Sequence, residues 1–266
     1  MERVILQGGS LALFLVLGMI HPRVRGFGLI HRGLILNVLN GFLLFLLAST
    51  GVKWVQDHTE FALVDMSFLS AGWMQFLVAF LALDFVRYWV HHAAHRVPWL
   101  WTFHRVHHSA EYLDASAGLR MHVVDFFILS AIPITLFGVI MDTANFSSWV
   151  VPSALGVGIV FDAFQHANLA MDMTKPWNKA WNLLLNNPHF HSWHHTRDGV
   201  LCDGNYSNTI IVWDRLFGTE VTQPVPPEKY GLESSQALVD SVLGWQLLSL
   251  REPAAAAVAS DGSADA

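Results

Sequence analysis

The sequence predicts an all-α polytopic membrane protein. It has about five apolar helices, the last two a hairpin, under a cytoplasmic histidine-rich helical cap. Three observations carry that expectation. Hydrophobic residues make up 53% of the 266 and charged residues only 14%, with a mean hydropathy of +0.39, whereas a soluble domain carries about 25% charged residues. Five stretches contain no Asp, Glu, Lys or Arg. Many of the 15 histidines fall in a few short clusters.

The charge-free stretches are Val4–Ile20, Gly33–Val52, Met66–Leu83, Phe126–Met141 and Thr143–Phe161. A bilayer core of about 30 Å needs roughly 20 apolar helical residues, within about 17–25. The second, third and fifth stretches fit. The first has no small-residue cleavage site before His21–Pro22, so it reads as a retained span. Phe126–Met141 is short and interrupted by Pro133. It is expected to pair with Thr143–Phe161 in a tight hairpin turned at Asp142 and Asn145. The loop between the first two stretches carries Arg23, Arg25 and Arg32 and no acid, while the next carries Lys53 against Asp57, Glu60 and Asp65. Positive residues stay inside, so the first loop is expected to be cytoplasmic. Tracing onward brings every histidine cluster to that same side. Three regions follow: N-terminal membrane helices over 1–70, a histidine-rich region over 71–223, and a C-terminal segment over 224–266. The last ends in the low-complexity "EPAAAAVASDGSADA", expected to be disordered.

Composition also excludes. A net charge of −6 without a basic patch speaks against nucleic acid. No Gly-rich phosphate loop is present. The single Cys202 can form neither an internal disulfide nor a thiolate metal site. Any metal must be held by histidine and oxygen.

The histidine spacing points to metal. In "HRVHH", His104, His107 and His108 stand at i, i+3 and i+4, positions that share a helix face. In "HSWHH", His191, His194 and His195 repeat the pattern. In "HHAAH", His91 and His95 share a face, and His92 points about 100° away. With His166 these make nine ligands. A zinc site closes with about four, so nine divide naturally between two ions of coordination number about five or six, and imidazole alone does not choose among Fe, Zn, Cu and Ni. His21, His31, His58 and His189 stand singly and read as surface or cap residues.

The stretches "DFVRYWVHHAAH", "LWTFHRVHHSAEYLDASAGLRMH", "FQHANL", "NNPHFHSWHH" and "NYSNTIIVWDRLFGT" together resemble the fatty acid hydroxylase/sterol desaturase superfamily, over about Gly72 to Thr219. The resemblance implies a membrane enzyme with two Fe ions (Zn can replace them in purified protein). It also implies O2 as co-substrate and hydroxylation or desaturation of a membrane lipid. It assigns as ligands His91 and His95, then His104, His107 and His108, then His166, then His191, His194 and His195. His122, in "LRMH", matches a position often histidine in the family and is a ligand candidate. The family usually has Arg where this chain has His92, which disfavours His92 as a ligand. No haem or flavin motif is visible, so electrons are expected from a separate donor protein.

Ligand histidines usually donate their other N–H to a carboxylate or carbonyl. Asp84, Tyr88, His91 and His95 follow at helical spacings, and an acid inside a span is a functional candidate. Asp162 stands one turn before His166. Both are expected to support ligands, the alternative being a partner for Arg87 or Arg120. In the last motif Asp214 and Arg215 are expected to pair, with Trp213 and Phe217 packing the cap. Trp73, Trp89, Trp99, Trp101, Trp177 and Trp181 include candidates for interface anchors. Two other functions suit the same ligands. A membrane zinc hydrolase would activate water, with Glu111 as a nearby acid. A metal transporter or sensor would place its ligands mid-membrane.

Overall fold

The computed structural model describes residues 2–26, 31–57, 62–233 and 236–250. His58 and the low-complexity tail lie outside the described residues. The long helices are α1 (Glu2–Ile20), α2 (Arg32–Asp57), α3 (Gly72–Arg96), α5 (Val123–Ile140) and α6 (Val150–His166). Between α3 and α5 stand α4 (Pro98–His108) and a 3-10 turn, Ala115–Leu119. The cap adds the short helices α7 (Pro176–Trp181), α8 (Pro188–His194), α9 (Val212–Phe217) and α10 (Val242–Gln246).

All five apolar stretches therefore become helix, with shifted ends. α3 starts at Gly72, later than Met66, because Asp65 accepts from the amide and hydroxyl of Ser67 and turns the chain there. It then runs past Leu83 through the histidines and stops at Val97, which is extended (φ −99°, ψ 112°). The residue before a proline disfavours helix, and Pro98 in turn opens α4. α5 passes through Pro133 without interruption, as apolar helices packed among others tolerate. α6 starts at Val150 rather than Thr143, because Ser147 is tied by its amide to Gln75 of α3.

The expected tight hairpin is corrected in one respect. α5 and α6 are consecutive, yet each packs along α3, which lies between them. α1 then packs on α6 and α2 on α5, giving the lateral order α1, α6, α3, α5, α2. Ala79, Leu83, Phe137, Val150 and Ala154 fill the contact of the central three. Small residues let such helices approach closely: Gly41 admits Leu119, and Gly156 admits Leu6. The outer faces stay apolar, with Ile5, Leu13, Phe42 and Leu46 exposed. Among the described residues, α3 and α5 are long and apolar enough to cross a membrane.

At one end lie the start of α3, the end of α5 and a two-residue parallel pairing of Val64–Asp65 with Met141–Asp142. The opposite end carries the histidines and the cap. Arg23 reaches into this cap end and donates to the carbonyl of Pro188. The C-terminal segment belongs to it as well: Trp245 and Leu238 are buried against Val106 of α4, and the Arg120 guanidinium lies 4.1 Å over the Trp245 ring.

Candidate metal centre

Three helices and the end of a fourth deliver the histidines. α3 carries His91 and His95 in its last turns, α4 carries His104, His107 and His108, and α6 ends on His166. α8 is fixed by its N-cap: Asn187 accepts from the amides of His189 and Phe190, with Pro188 at the first helical position. That short helix aims His191, His194 and His195 inward. The nine divide into two groups. His91, His95, His104, His108 and His194 each offer a nitrogen within 4.8 Å of the others, and so do His107, His166, His191 and His195. The groups share a wall where the His108 and His195 rings stack at 4.5 Å.

The proton positions decide what this arrangement can do. His91 Nδ1 lies 2.7 Å from the Tyr206 carbonyl, His166 Nδ1 2.6 Å from the Asp162 carbonyl, and His194 Nδ1 2.8 Å from the Gly204 carbonyl. His104 Nδ1 lies 3.1 Å from both oxygens of Asp125. A carbonyl or carboxylate only accepts, so each of these Nδ1 atoms carries the proton and each Nε2 keeps a lone pair. Those Nε2 atoms face other Nε2 atoms: His91 to His104 at 3.2 Å, His166 to His107 and His195 at 3.2 Å, and His166 to His191 at 3.1 Å. His91 and His104 thus bring two lone pairs together with no proton between them. The buried His194 Nε2 has no hydrogen-bond partner among the described residues. A cation between the rings relieves both features, so the donor set fits two metal ions. Burial, with the neighbouring rings adding, holds His107, His108, His191 and His195 well below the usual imidazole pKa. His194 is pushed down to about 3 by burial. These rings stay neutral, as ligands must.

Several expectations are corrected. His122 joins neither group. It caps α5, its Nδ1 accepting from Val124 and its Nε2 donating to the Gln246 carbonyl, so no lone pair is left for a metal. The Asp84 carboxylate does not touch a histidine of either group. It accepts from the amides of Thr209 and Ile210 and from the Trp213 indole, tying α3 to the cap. Asp162 supports His166 through its main-chain carbonyl, while its carboxylate takes the alternative partner, Arg87. Arg215 pairs with Glu220 rather than Asp214. Asp214 instead accepts from Tyr206, Ser207 and Thr219 and so fixes the loop that presents the two carbonyls. Trp101 packs against His95 and His108, whereas Trp73, Trp99 and Trp177 are exposed. His92 lies outside both groups, against Tyr206. His189 is buried and bonded to the Gln223 carbonyl, and His31 caps α2 and pairs with Asp114.

Sequence reading missed two carboxylates beside the clustered histidines: Asp125, which accepts from His104 Nδ1, and Asp203, 3.5 Å from His95 Nδ1 without a hydrogen bond. It also missed Gly204 and Asn205. A Cβ at Gly204 would meet the Thr219 carbonyl, and Asn205 sits at φ 57°, a left-handed conformation that asparagine tolerates. Beside the histidines opens a cavity of about 540 Å³, walled by α1, α2, α3, α5 and α6. Leu11, Leu44, Phe45, Phe126, Leu129 and Ile159 make it apolar, and His91, His104, His107, His166 and His191 reach it.

The fold and site define a helical protein with two adjoining imidazole clusters at the end of an apolar cavity. A family model described as fatty acid hydroxylase matches residues 76–219, more than half the chain. The chain belongs to the fatty acid hydroxylase family. It is 34% identical over 158 residues to an alkylglycerol monooxygenase from Danio rerio, covering 56% of this chain and 31% of the relative. An ornithine lipid hydroxylase from Rhizobium tropici is 30% identical over 157 residues, covering 57% and 43%. A fatty acid hydroxylase from Lecanicillium sp. is 29% identical over 174 residues, covering 56% and 44%. The chain spans less than half the length of each of these relatives. No solved structure matches it.

Proposed function

We propose that the protein is an integral membrane lipid oxygenase that uses two Fe ions, O2 and electrons from a separate donor protein to hydroxylate or desaturate a membrane lipid. The observation that carries this reading is the meeting of nine imidazoles, four of them with a lone pair fixed inward, with the apolar cavity. Hydroxylation balances as C–H plus O2, two electrons and two protons giving C–OH and water. Desaturation consumes the same inputs and gives C=C and two waters. When bound, the ions would supply the oxygen activation and electron transfer that side chains lack.

The protein's own residues do the rest. The Tyr206, Gly204 and Asp162 carbonyls and the Asp125 carboxylate hold outward protons, which fixes each Nε2 inward. The apolar walls admit a hydrocarbon chain and exclude water. α3 has 25 residues, about 37 Å of helix, enough to cross the hydrocarbon core. Arg23 shares the cap end with the histidines, which supports a cytoplasmic metal site by the positive-inside rule. A donor could then reach the cap from the cytoplasm while the lipid enters from the bilayer.

The test supplies 18O2 to cells with and without the gene and compares their lipids. A lipid that gains 18O identifies a hydroxylase, and one that loses two hydrogens without gaining 18O identifies a desaturase. Turnover by purified protein lacking O2 and reductant would overturn the oxygenase in favour of the zinc hydrolase. Protein purified without oxidation should hold about two transition-metal ions per chain, as the ligand number implies. A well-folded sample with one ion or fewer would remove the dimetal reading.

A further inference from the structure

The cavity wall beside the histidines is not purely apolar: Arg87 and Asp162 both line it. Arg87 stands one helical turn before His91 on α3, and Asp162 one turn before His166 on α6. The pair therefore lies about 6 Å along the helix axes from both metal groups. Its geometry is unlike that of a structural clip. A clip would use the guanidinium fork, two nitrogens on two oxygens. Here Nη2 alone donates to both carboxylate oxygens at 3.1 Å. Nε and Nη1 of Arg87 make no hydrogen bond among the described residues, and the two side chains keep 26% and 40% of their surface. Gly158 makes room for this posture, since a Cβ there would collide with Arg87 Nη1. A charged group inside an apolar span is costly and is by default functional.

We propose that Arg87 and Asp162 form a polar subsite that selects a neutral lipid bearing a hydroxyl group and places the carbons next to that hydroxyl against the histidines. This rests on the lipid-oxidising reading above. The free guanidinium N–H groups donate to the hydroxyl oxygen, and Asp162 accepts a hydrogen bond from its O–H. A carboxylate or phosphate would meet the negative charge of Asp162. A plain alkane would leave the spare donors unpaired and dry.

The test separates binding from turnover by using zinc-loaded, redox-silent protein at one fixed micelle concentration. Radiolabelled 1-hexadecanol is bound and competed with unlabelled hexadecanol, hexadecane or palmitate. Hexadecanol is expected to compete at least tenfold better than either of the others. Arg87→Leu should lose that preference about tenfold while keeping its metal content and thermal midpoint. Gly158→Ala keeps both charges and only displaces the guanidinium. It should weaken the preference too, which covers the case in which Arg87→Leu fails to fold. Equal competition by hexadecane in the wild type, or an unchanged preference in folded Arg87→Leu or Gly158→Ala, overturns the subsite. Palmitate competing best overturns the neutral class. Failure to bind any of the three saturably overturns the cavity as a lipid site and the subsite with it. Selective hexadecanol binding supports the subsite even if iron-loaded, reduced protein oxidises nothing, an outcome that would sink the oxygenase reading alone.

Discussion

At the residue scale, a ligand histidine needs a lone pair aimed inward and a partner that fixes its proton outward. The first requirement leaves a mark in sequence, because i, i+3 and i+4 spacing is what puts rings on one helix face; eight of the nine histidines were legible for that reason, and His166, which stands alone, was assigned by the resemblance. The second leaves almost none. Any residue has a carbonyl, so nothing singles out Tyr206 or Gly204, and Asp125 reaches His104 from 21 positions away. Asp84 and Asp162 have the right helical register, but register does not say which neighbour a carboxylate will meet. Substitutions separate these roles. His107→Ala and His194→Ala should each lower metal content, measured by elemental analysis, and abolish oxidation. His122→Ala should leave metal content unchanged and lower stability by about 1–2 kcal/mol, through the lost cap and the lost bond to Gln246. Metal loss in His122→Ala would return that residue to the ligands. Asp125→Asn weakens the acceptor for the His104 proton and should reduce metal affinity or activity about 10–100-fold. Asp84→Asn should instead lower the thermal midpoint with metal retained, because an amide oxygen replaces a carboxylate that serves three donors. That loss is about 1–3 kcal/mol.

At the element scale, the charge-free stretches located the five long helices and misplaced their ends. A charge-free run measures what a bilayer tolerates, whereas a helix ends where caps and prolines end it. α3 therefore continues from Leu83 to Arg96 and carries the histidines out of the apolar zone. The order of packing was not legible either, since nothing in a hydropathy pattern says that α3 lies between α5 and α6. Sidedness can be tested at positions the fold leaves open. Ser109 and Ser192 are buried and bonded to Arg120 and the His189 carbonyl, so cysteines there would report burial rather than topology. Val200 is 82% exposed in the cap and Phe68 71% exposed at the opposite end. In a Cys202→Ser background, Val200→Cys should resist a membrane-impermeant thiol reagent in intact cells and react in inverted vesicles. Phe68→Cys should do the reverse. Labelling of both from one side would mean that α3 does not cross.

At the scale of the whole molecule, composition announced the membrane, but the cavity had no sequence signature because its walls come from segments spread along the chain, from α1 to the cap. Burying so many imidazoles together has a cost that pH exposes. His107, His108, His191, His194 and His195 titrate below the ordinary value of 6.5 because burial disfavours their charged form. Above about 6.5 the folded and unfolded chains both hold them neutral, and their contribution does not change with pH. As pH falls below that value the unfolded chain takes up protons that the folded chain refuses, so stability declines toward about 3, where His194 finally charges. Bound metal opposes this, because it binds the folded site and raises the midpoint by mass action. It also competes with protons for the same nitrogens, so its advantage must shrink in acid. Thermal melts of zinc-loaded and chelator-stripped protein in detergent check both statements. At about pH 8 the loaded protein should melt higher. The stripped protein should hold its midpoint down to about 6.5 and lose it progressively below. The gap between the two should close as the solution is acidified. His107→Ala, lacking one ligand, should start with a smaller gap. If zinc gave no added stability at about pH 8, the clusters would not be a metal site. A stripped midpoint that rose on acidification would mean that these histidines are charged in the folded protein, and the inward lone pairs on which the dimetal reading rests would be gone.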